Sequence, residues 1–460
     1  MDKNFLKTDW LASKPVFYNE KTKKISHNIN DVIDIENFEF DGEGLNNYLK
    51  YGYSVFEQTP IKNVKFLRHS SEISLEGKEL KVKHLEDPAE RYYGISTTKE
   101  QVIGLLENEI QRWESNIEEE IVLPTSGGYD SRILNAMLKD RKKIKSYTYG
   151  ISTNQKESFE VVYAEKIAEI LKTDWKFIPI GDFHSLFEEW DNLYGVSTHA
   201  HGMYQMEFYH RIIKDLGSSN YHLLSGVVGG AWAGGVNLPN INQQDDLIRL
   251  AHNHRMNADC KQSLLKSKGE LEREYFENNK HKLNDRYWKT IESMRMKIIL
   301  LSYLTVVPQS LGFKVWTPFF NQEVALSMLN LPQEVCKNKQ WEKEYFQKFG
   351  LDVEKYKLKV NKRNTLNYQA FLQKSLHPLD EKLLSEIINP NYIKWINRNI
   401  TSFHSSKVLL HKVFGIRKVG GGIRRLGFKD PFHTIYSAYL TLKPLENLLK
   451  KRENSFKKSF

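Results

Sequence analysis

Residues Leu123-Pro124-Thr125-Ser126-Gly127-Gly128-Tyr129-Asp130-Ser131 hold the densest concentration of chemically useful groups in this chain. Two glycines and two serine hydroxyls lie between an apolar run and an amphipathic one. Glycine lets a backbone approach an anion closely. The first N–H groups of a helix have no intrahelical acceptor, and the helix dipole favours negative charge beside them. Ser126 and Ser131 add hydroxyl donors. Asp130 repels a bare phosphate, so its presence suggests a Mg²⁺ bridge. No Lys follows the glycines, unlike the phosphate loop of kinases and GTPases. The three spaced glycines of a dinucleotide-binding turn are also missing. The competing reading is a strand-to-helix turn that merely needs glycine.

Such a loop requires a strand before it and a helix after it. Ile121–Thr125 reads as a buried strand, and Ser131–Lys139 as a helix with Ile133, Leu134, Met137 and Leu138 inward. Further strands over Ile144–Gly150, Asp174–Ile180 and Tyr221–Ser225 alternate with helices over Lys156–Lys172 and Met203–Leu216. This alternation predicts an α/β fold, a parallel sheet with helices on both faces. Ligands of such sheets sit at the carboxyl ends of the strands. Upstream, Thr97–Glu114 predicts a helix with Thr97 as N-cap and Glu100 three residues on. Val102, Leu105, Leu106, Ile110 and Trp113 form its buried stripe.

Residues 1–95 predict a small β-rich domain, with strands over Val64–Leu67, Glu72–Leu75 and Leu80–His84 and a helix over Leu45–Tyr51. Residues 96–460 form the second domain, an α/β core over 97–237 followed by a mainly helical part over 238–460. The apolar centre of that part is Lys297–Val307.

The chain has 460 residues, 40% hydrophobic and 12% aromatic, which excludes wholesale disorder. Its two cysteines, Cys260 and Cys336, cannot make a disulfide framework, which points to a reducing compartment. No apolar run approaches the roughly 20 residues of a membrane span. The opening residues lack an apolar core of signal-peptide length. The expectation is a cytoplasmic protein with no membrane partner. The net charge of +10 is compatible with a polyanionic partner. His199-Ala200-His201 could hold a metal, but no third ligand stands at a recognisable spacing. The basic stretch from Lys412 to Lys429, around Gly420-Gly421-Gly422, reads equally as a phosphate grip or an exposed loop.

Ser126-Gly127-Gly128-Tyr129-Asp130-Ser131 resembles the SGGxDS pyrophosphate loop of the N-type ATP pyrophosphatases, which cleave ATP between its α and β phosphates. Three further stretches resemble the asparagine synthetase-like branch. Glu157-Ser158-Phe159-Glu160 with Tyr163-Ala164-Glu165-Lys166-Ile167-Ala168 is similar to its acidic helix. Leu224-Ser225-Gly226 through Gly234-Gly235 is similar to its LSGEGADELFGG segment. Thr317-Pro318-Phe319-Phe320-Asn321, ending in Leu331-Pro332, is similar to its PFLD…LP segment. The likeness runs from about residue 97 to about residue 370.

The resemblance implies an adenine-nucleotide alpha-hydrolase-like fold and an ATP-dependent, amide-forming ligase with ATP and Mg²⁺ as cofactors. A small-molecule or peptide carboxylate is adenylated, pyrophosphate leaves, and an amine or ammonia attacks. It implies phosphate contacts at Ser126, Gly127, Gly128, Asp130 and Ser131, with Asp130 as metal ligand. Adenine contacts fall near Leu123 and on Tyr149, Gly150, Ser225 and Gly226. A late catalytic lysine falls on Lys359 or Lys362. The chain departs from the family where carboxylates are expected: Val227, Gly230, Ala231 and Asn321 stand there instead, and Trp316 replaces an Arg. Glu157, Glu160, Glu207 and Asp191 are candidate replacements.

The N-terminal part resembles the later half of a glutaminase domain, yet position 2 is Asp2 and the first cysteine is Cys260. Without a thiolate no glutaminyl thioester forms, so glutamine hydrolysis is not expected. Ammonia then comes from solution or another subunit, or the nucleophile is an amine on the substrate. A nucleic-acid partner is not expected. The alternatives are a degenerate nucleotide-binding pseudoenzyme and a tRNA-modifying enzyme sharing the loop.

Overall fold

The computed structural model describes residues 5–251, 256–402, 405–415, 417–425 and 428–458. Asp2 lies outside the described residues, as do Ile416, Leu426 and Gly427 of the basic stretch. Six short strands come first: β1 (Phe5–Lys7), β2 (Phe17–Asn19), β3 (Ile25–Ser26), β4 (Val64–Phe66), β5 (Ser71–Glu76) and β6 (Glu79–His84). They form two antiparallel sheets, ordered β1-β5-β6 and β3-β2-β4. Five more strands, β7 (Ile121–Pro124), β8 (Ile144–Thr148), β9 (Asp174–Phe177), β10 (His222–Leu224) and β11 (Lys314–Trp316), form one parallel sheet. Its order is β11-β10-β7-β8-β9.

Strand side chains alternate between faces, and both faces of this sheet are covered. Val122 shares one core with Phe208 and Ile212 of the helix Met203–Leu216. Ile121 and Leu123 share the other with Leu106, Leu134 and Ile167, from the helices Lys99–Glu114, Tyr129–Met137 and Phe159–Leu171. The strand order has a direct consequence. From β7 the chain builds outward through β8 and β9, then crosses back to lay β10 and β11 on the other side. The loops leaving β7 and β10 therefore diverge from neighbouring strands, at the place where open α/β sheets form a crevice.

The strands β1–β6 do not stand apart from the rest. Tyr48 donates its hydroxyl to the Thr441 carbonyl at 2.9 Å. The Trp10 indole donates to the Phe320 carbonyl at 2.9 Å and packs 5.5 Å from Trp232. The buried Arg295 guanidinium joins the Trp10 carbonyl to Asp87. Residues after 237 are mainly helical and end in the helix Pro431–Lys458. Among the described residues no helix is long and apolar enough to cross a membrane.

Several boundaries differ from the sequence expectation. The helix after the glycine loop starts at Tyr129, not Ser131, because Gly128 occupies the N-cap position. The upstream helix is capped by Thr98, whose side chain and Gln101 make a capping box; Thr97 instead donates to the Ser327 carbonyl. Leu105 is only half-buried, and Trp113 stacks 4.8 Å from Trp316. The strand β11 was not foreseen. The glycine triplet lies inside a helix, Arg417–Arg425, and not in a loop. The apolar centre divides into helices Ile298–Leu301 and Tyr303–Ser310.

Candidate functional site

The loop after β7 is tied by its own hydroxyls. Ser131 Oγ accepts the Ser126 N–H at 3.0 Å, and Ser126 Oγ accepts the Gly128 N–H at 3.1 Å. No side chain caps the helix that starts at Tyr129, so its first-turn N–H groups look for acceptors outside it. Gly127 is required by packing: a Cβ there would meet the Phe159 ring, the Phe159 carbonyl and Tyr163 Cβ, each at 2.9 Å. Behind the loop, buried Arg132 donates to the Gly127 carbonyl at 2.7 Å and pairs with Glu354 at 2.9 Å. The guanidinium thus fixes the loop backbone from the protein side.

The loop after β10 closes on it. A Cβ at Gly226 would lie 3.2 Å from the Ser131 nitrogen, a tight contact that glycine avoids. Val228 has φ 56°, a left-handed conformation that β-branched residues rarely adopt. Such strain persists only where the surroundings impose it. Gly230 donates its N–H to Asp130 Oδ2 at 2.8 Å.

A third element completes the site. Asn338 and Lys339 both have positive φ, 54° and 57°, and this kink turns the Lys339 side chain toward Asp130. Its Nζ lies 3.9 Å from Asp130 Oδ1, 3.8 Å from Glu342 Oε2 and 4.9 Å from the centre of the Tyr129 ring. Burial pushes the Glu342 carboxyl up to about 8, although Lys339 opposes the shift. Glu342 is therefore mostly protonated at neutral pH and does not neutralise Lys339. Desolvation also raises Asp130, against the pull of Lys339 and the Gly230 N–H.

These elements surround a cavity of about 790 Å³, within the size range of small-molecule sites. Ser126, Asp130, Ser131, Ser225 and Lys339 supply polar wall, while Tyr147, Tyr149, Tyr204, Phe208 and Tyr209 supply aromatic wall. Tyr149 packs 4.9 Å from Phe208 and accepts a hydrogen bond from Gln205 at 3.1 Å. The arrangement suits a ligand with an anionic chain and a flat ring, since aromatic faces stack on rings and helix starts bind anions.

Of the residues singled out in the sequence, Ser126, Gly128, Asp130, Ser131, Tyr149, Ser225 and Gly226 line this cavity. Gly127 lies behind its wall. Leu123 is wholly buried in the core on the opposite side of β7 from Val122. Gly150 packs under a turn, where a Cβ would meet the Gln155 carbonyl. Lys359 and Lys362 are exposed and line no part of the cavity; Lys362 lies over the Phe159 ring at 5.0 Å. Among the described residues the lysine that lines the cavity is Lys339, which no motif marks. A Lys-rich run at the kink was the only available signal.

Of the replacement acids only Glu160 lines the cavity. Glu207 accepts the Gly181 and Asp182 N–H groups, and Asp191 pairs with Lys451. His201 also lines the cavity, while His199 Nδ1 accepts the His201 N–H at 3.2 Å. Asn321 caps the helix Gln322–Leu329, accepting the Glu323 and Val324 N–H groups.

The residues around Asp130 build no all-protein cage for magnesium, an ion that usually takes one or two carboxylates together with water and phosphate oxygens. One Asp130 oxygen is engaged by Gly230 N–H, an ammonium stands beside the other, and Gly230 brings no carboxylate. Among the described residues no group of three His, Cys, Asp or Glu side chains could hold a metal. The sequence matches no protein-family model and no curated protein.

Proposed function

We propose that this chain is an ATP-dependent, amide-forming ligase resembling asparagine synthetase, built on an adenine-nucleotide alpha-hydrolase-like fold. One observation carries the reading: the Ser126–Ser131 loop and the Ser225–Gly226 turn leave adjacent parallel strands at the switch point and line one cavity with an aromatic wall. In this reading the triphosphate lies along the Ser126 and Ser131 hydroxyls and the N–H groups of the helix start. The adenine rests against Tyr149 and its aromatic neighbours. A substrate carboxylate oxygen attacks the α-phosphorus, the bond to the β-phosphate oxygen breaks, and pyrophosphate leaves. Lys339 offsets the charge that develops on pyrophosphate, the kind of preorganised stabilisation that dominates many active sites. An amine then attacks the acyl carbon, loses a proton, and AMP departs.

Neither cysteine supports glutamine hydrolysis. Burial raises the thiol pKa of both Cys260 and Cys336, whereas a nucleophilic cysteine needs a lowered one. Residues 1–95 are read as a shortened glutaminase-like module without its nucleophile. The nitrogen comes from free ammonia, another subunit, or an amine on the substrate.

A second reading has its own observation. Val227 and Gly230 stand where the family places acids, which favours a protein that binds nucleotide without turnover. Calorimetry with a non-hydrolysable ATP analogue, followed by pyrophosphate release across a panel of carboxylates, separates the two. The ligase reading expects both binding and carboxylate-dependent release. Binding without release transfers the conclusion to the second reading, and absence of binding ends both.

A further inference from the structure

A second cavity, of about 770 Å³, adjoins the first and shares Val236 and Lys339 with it. Its charged lining is unbalanced: Arg286, Lys289, Lys337 and Lys339 against Glu334 alone. Among the described residues, Arg286, Lys289 and Lys337 pair with no carboxylate. Lys289 is the telling one. It is only 9% exposed, and among the described residues its ammonium donates to the Pro239 carbonyl and Asn240 Oδ1, both at the long distance of 3.5 Å. Two long bonds to neutral oxygens leave its charge without a counter-ion. Arg286 is also held ready, donating from Nη2 to the Leu329 and Leu331 carbonyls at 2.6 and 2.8 Å. Those two bonds use one end of a guanidinium that has five N–H donors.

The geometry points to this cavity as the binding site for an anionic group of the acyl substrate, a carboxylate or phosphate other than the carboxylate that is activated. The inference rests on the ligase reading for the word substrate, but not for the anion site itself. Lys339 stands at the junction, so a molecule anchored by Lys289 and Arg286 reaches the nucleotide cavity past Val236. The substrate class is therefore a small polyanion: a di- or tricarboxylate, or a phosphorylated carboxylic acid.

Citrate and inorganic phosphate are the probes, titrated calorimetrically into the full chain, Lys289→Met and Arg286→Gln. Binding of at least one probe to the wild type is expected, weakened about tenfold or more in each variant. Nucleotide-analogue affinity should stay within about twofold in both variants. Preference for phosphate points to a phosphorylated acid, and preference for citrate to a polycarboxylate. Without anion, Lys289→Met should melt no lower than the wild type, because it gives up only two long bonds to neutral oxygens and removes a charge that has no counter-ion. A lower melting temperature would mean that the lysine is structural and would overturn the proposal. So would equal probe binding in all three proteins, or probes that bind only by displacing the nucleotide analogue. If the nucleotide analogue fails to bind while the probes behave as expected, the ligase reading falls and the anion site stands.

Discussion

The loops leaving β7 and β10 face each other across one cavity, yet they offer it different things. The first is rich in donors: two serine hydroxyls, an uncapped helix start, and a backbone fixed by Arg132. The second contributes shape. Its glycines allow close approach, Val228 is held in a strained conformation, and its one polar act toward the first loop is the Gly230 N–H on Asp130. The positive charge beside Asp130 comes from Lys339, over a hundred residues further along the chain. Backbone shape and charge at this cavity are thus supplied by separate elements.

The strongest way to break this comparison is Asp130→Ala. It removes the group on which the second loop and Lys339 both converge, and should lower pyrophosphate release by about 10–100-fold, the scale of a lost charge-assisted hydrogen bond, with circular dichroism unchanged. Full activity in that variant would refute the assignment of the loop. Lys339→Met tests the positive charge beside Asp130. Nucleotide-analogue binding should weaken by about 10–100-fold, the scale of a charge-assisted contact; unchanged affinity would return the role to the loops alone. Gly127→Ala probes the packing side of the first loop. Its Cβ would collide with Phe159 and Tyr163, and chemical denaturation should show a loss of about 1–3 kcal/mol.

Gly230→Asp sharpens the contrast by placing an acid in the second loop. Its Cβ would lie 3.1 and 3.2 Å from the Asp130 oxygens and 3.4 Å from Lys339 Nζ. Neutralising Lys339 should reduce divalent-free nucleotide affinity by about tenfold, with Mg²⁺ restoring it. Equal affinity with and without Mg²⁺ in both proteins would remove the charge argument.

The smallest effect concerns Glu342, whose carboxyl faces Lys339, Asp130 and Arg132. Its value is raised from an ordinary 4.5 to about 8, so the folded protein holds a proton there that the unfolded chain releases. Stability from this group is present below the lower value and declines as pH rises toward the upper one. Glu342→Gln should abolish that decline, giving a melting temperature closer to the wild type at pH 5 than at pH 8. A constant difference across that range would show that Glu342 does not titrate there.

The sheet was largely legible because buried parallel strands are short apolar runs separated by amphipathic helices. The loop was legible because its glycines and hydroxyls sit at a strand–helix junction. β11 was not: Lys314-Val315-Trp316 has three residues, one charged, and is made a strand by pairing with β10. Nor was Lys339, since its place depends on a backbone kink and on folding, while the equally basic Lys359 and Lys362 remain outside. Ser131 misled as a helix start because its hydroxyl bonds backward into the loop.

Trp10 lies against Trp232, within the turn Ala231–Gly235 that walls the cavity. None of the described residues up to 95 lines that cavity. If a ligand of that cavity binds better with the turn ordered, linkage is reciprocal: Trp10 in its seat then raises that ligand's affinity by the factor by which the ligand strengthens the seat. The residues around Trp10 brace the wall of a cavity they do not line.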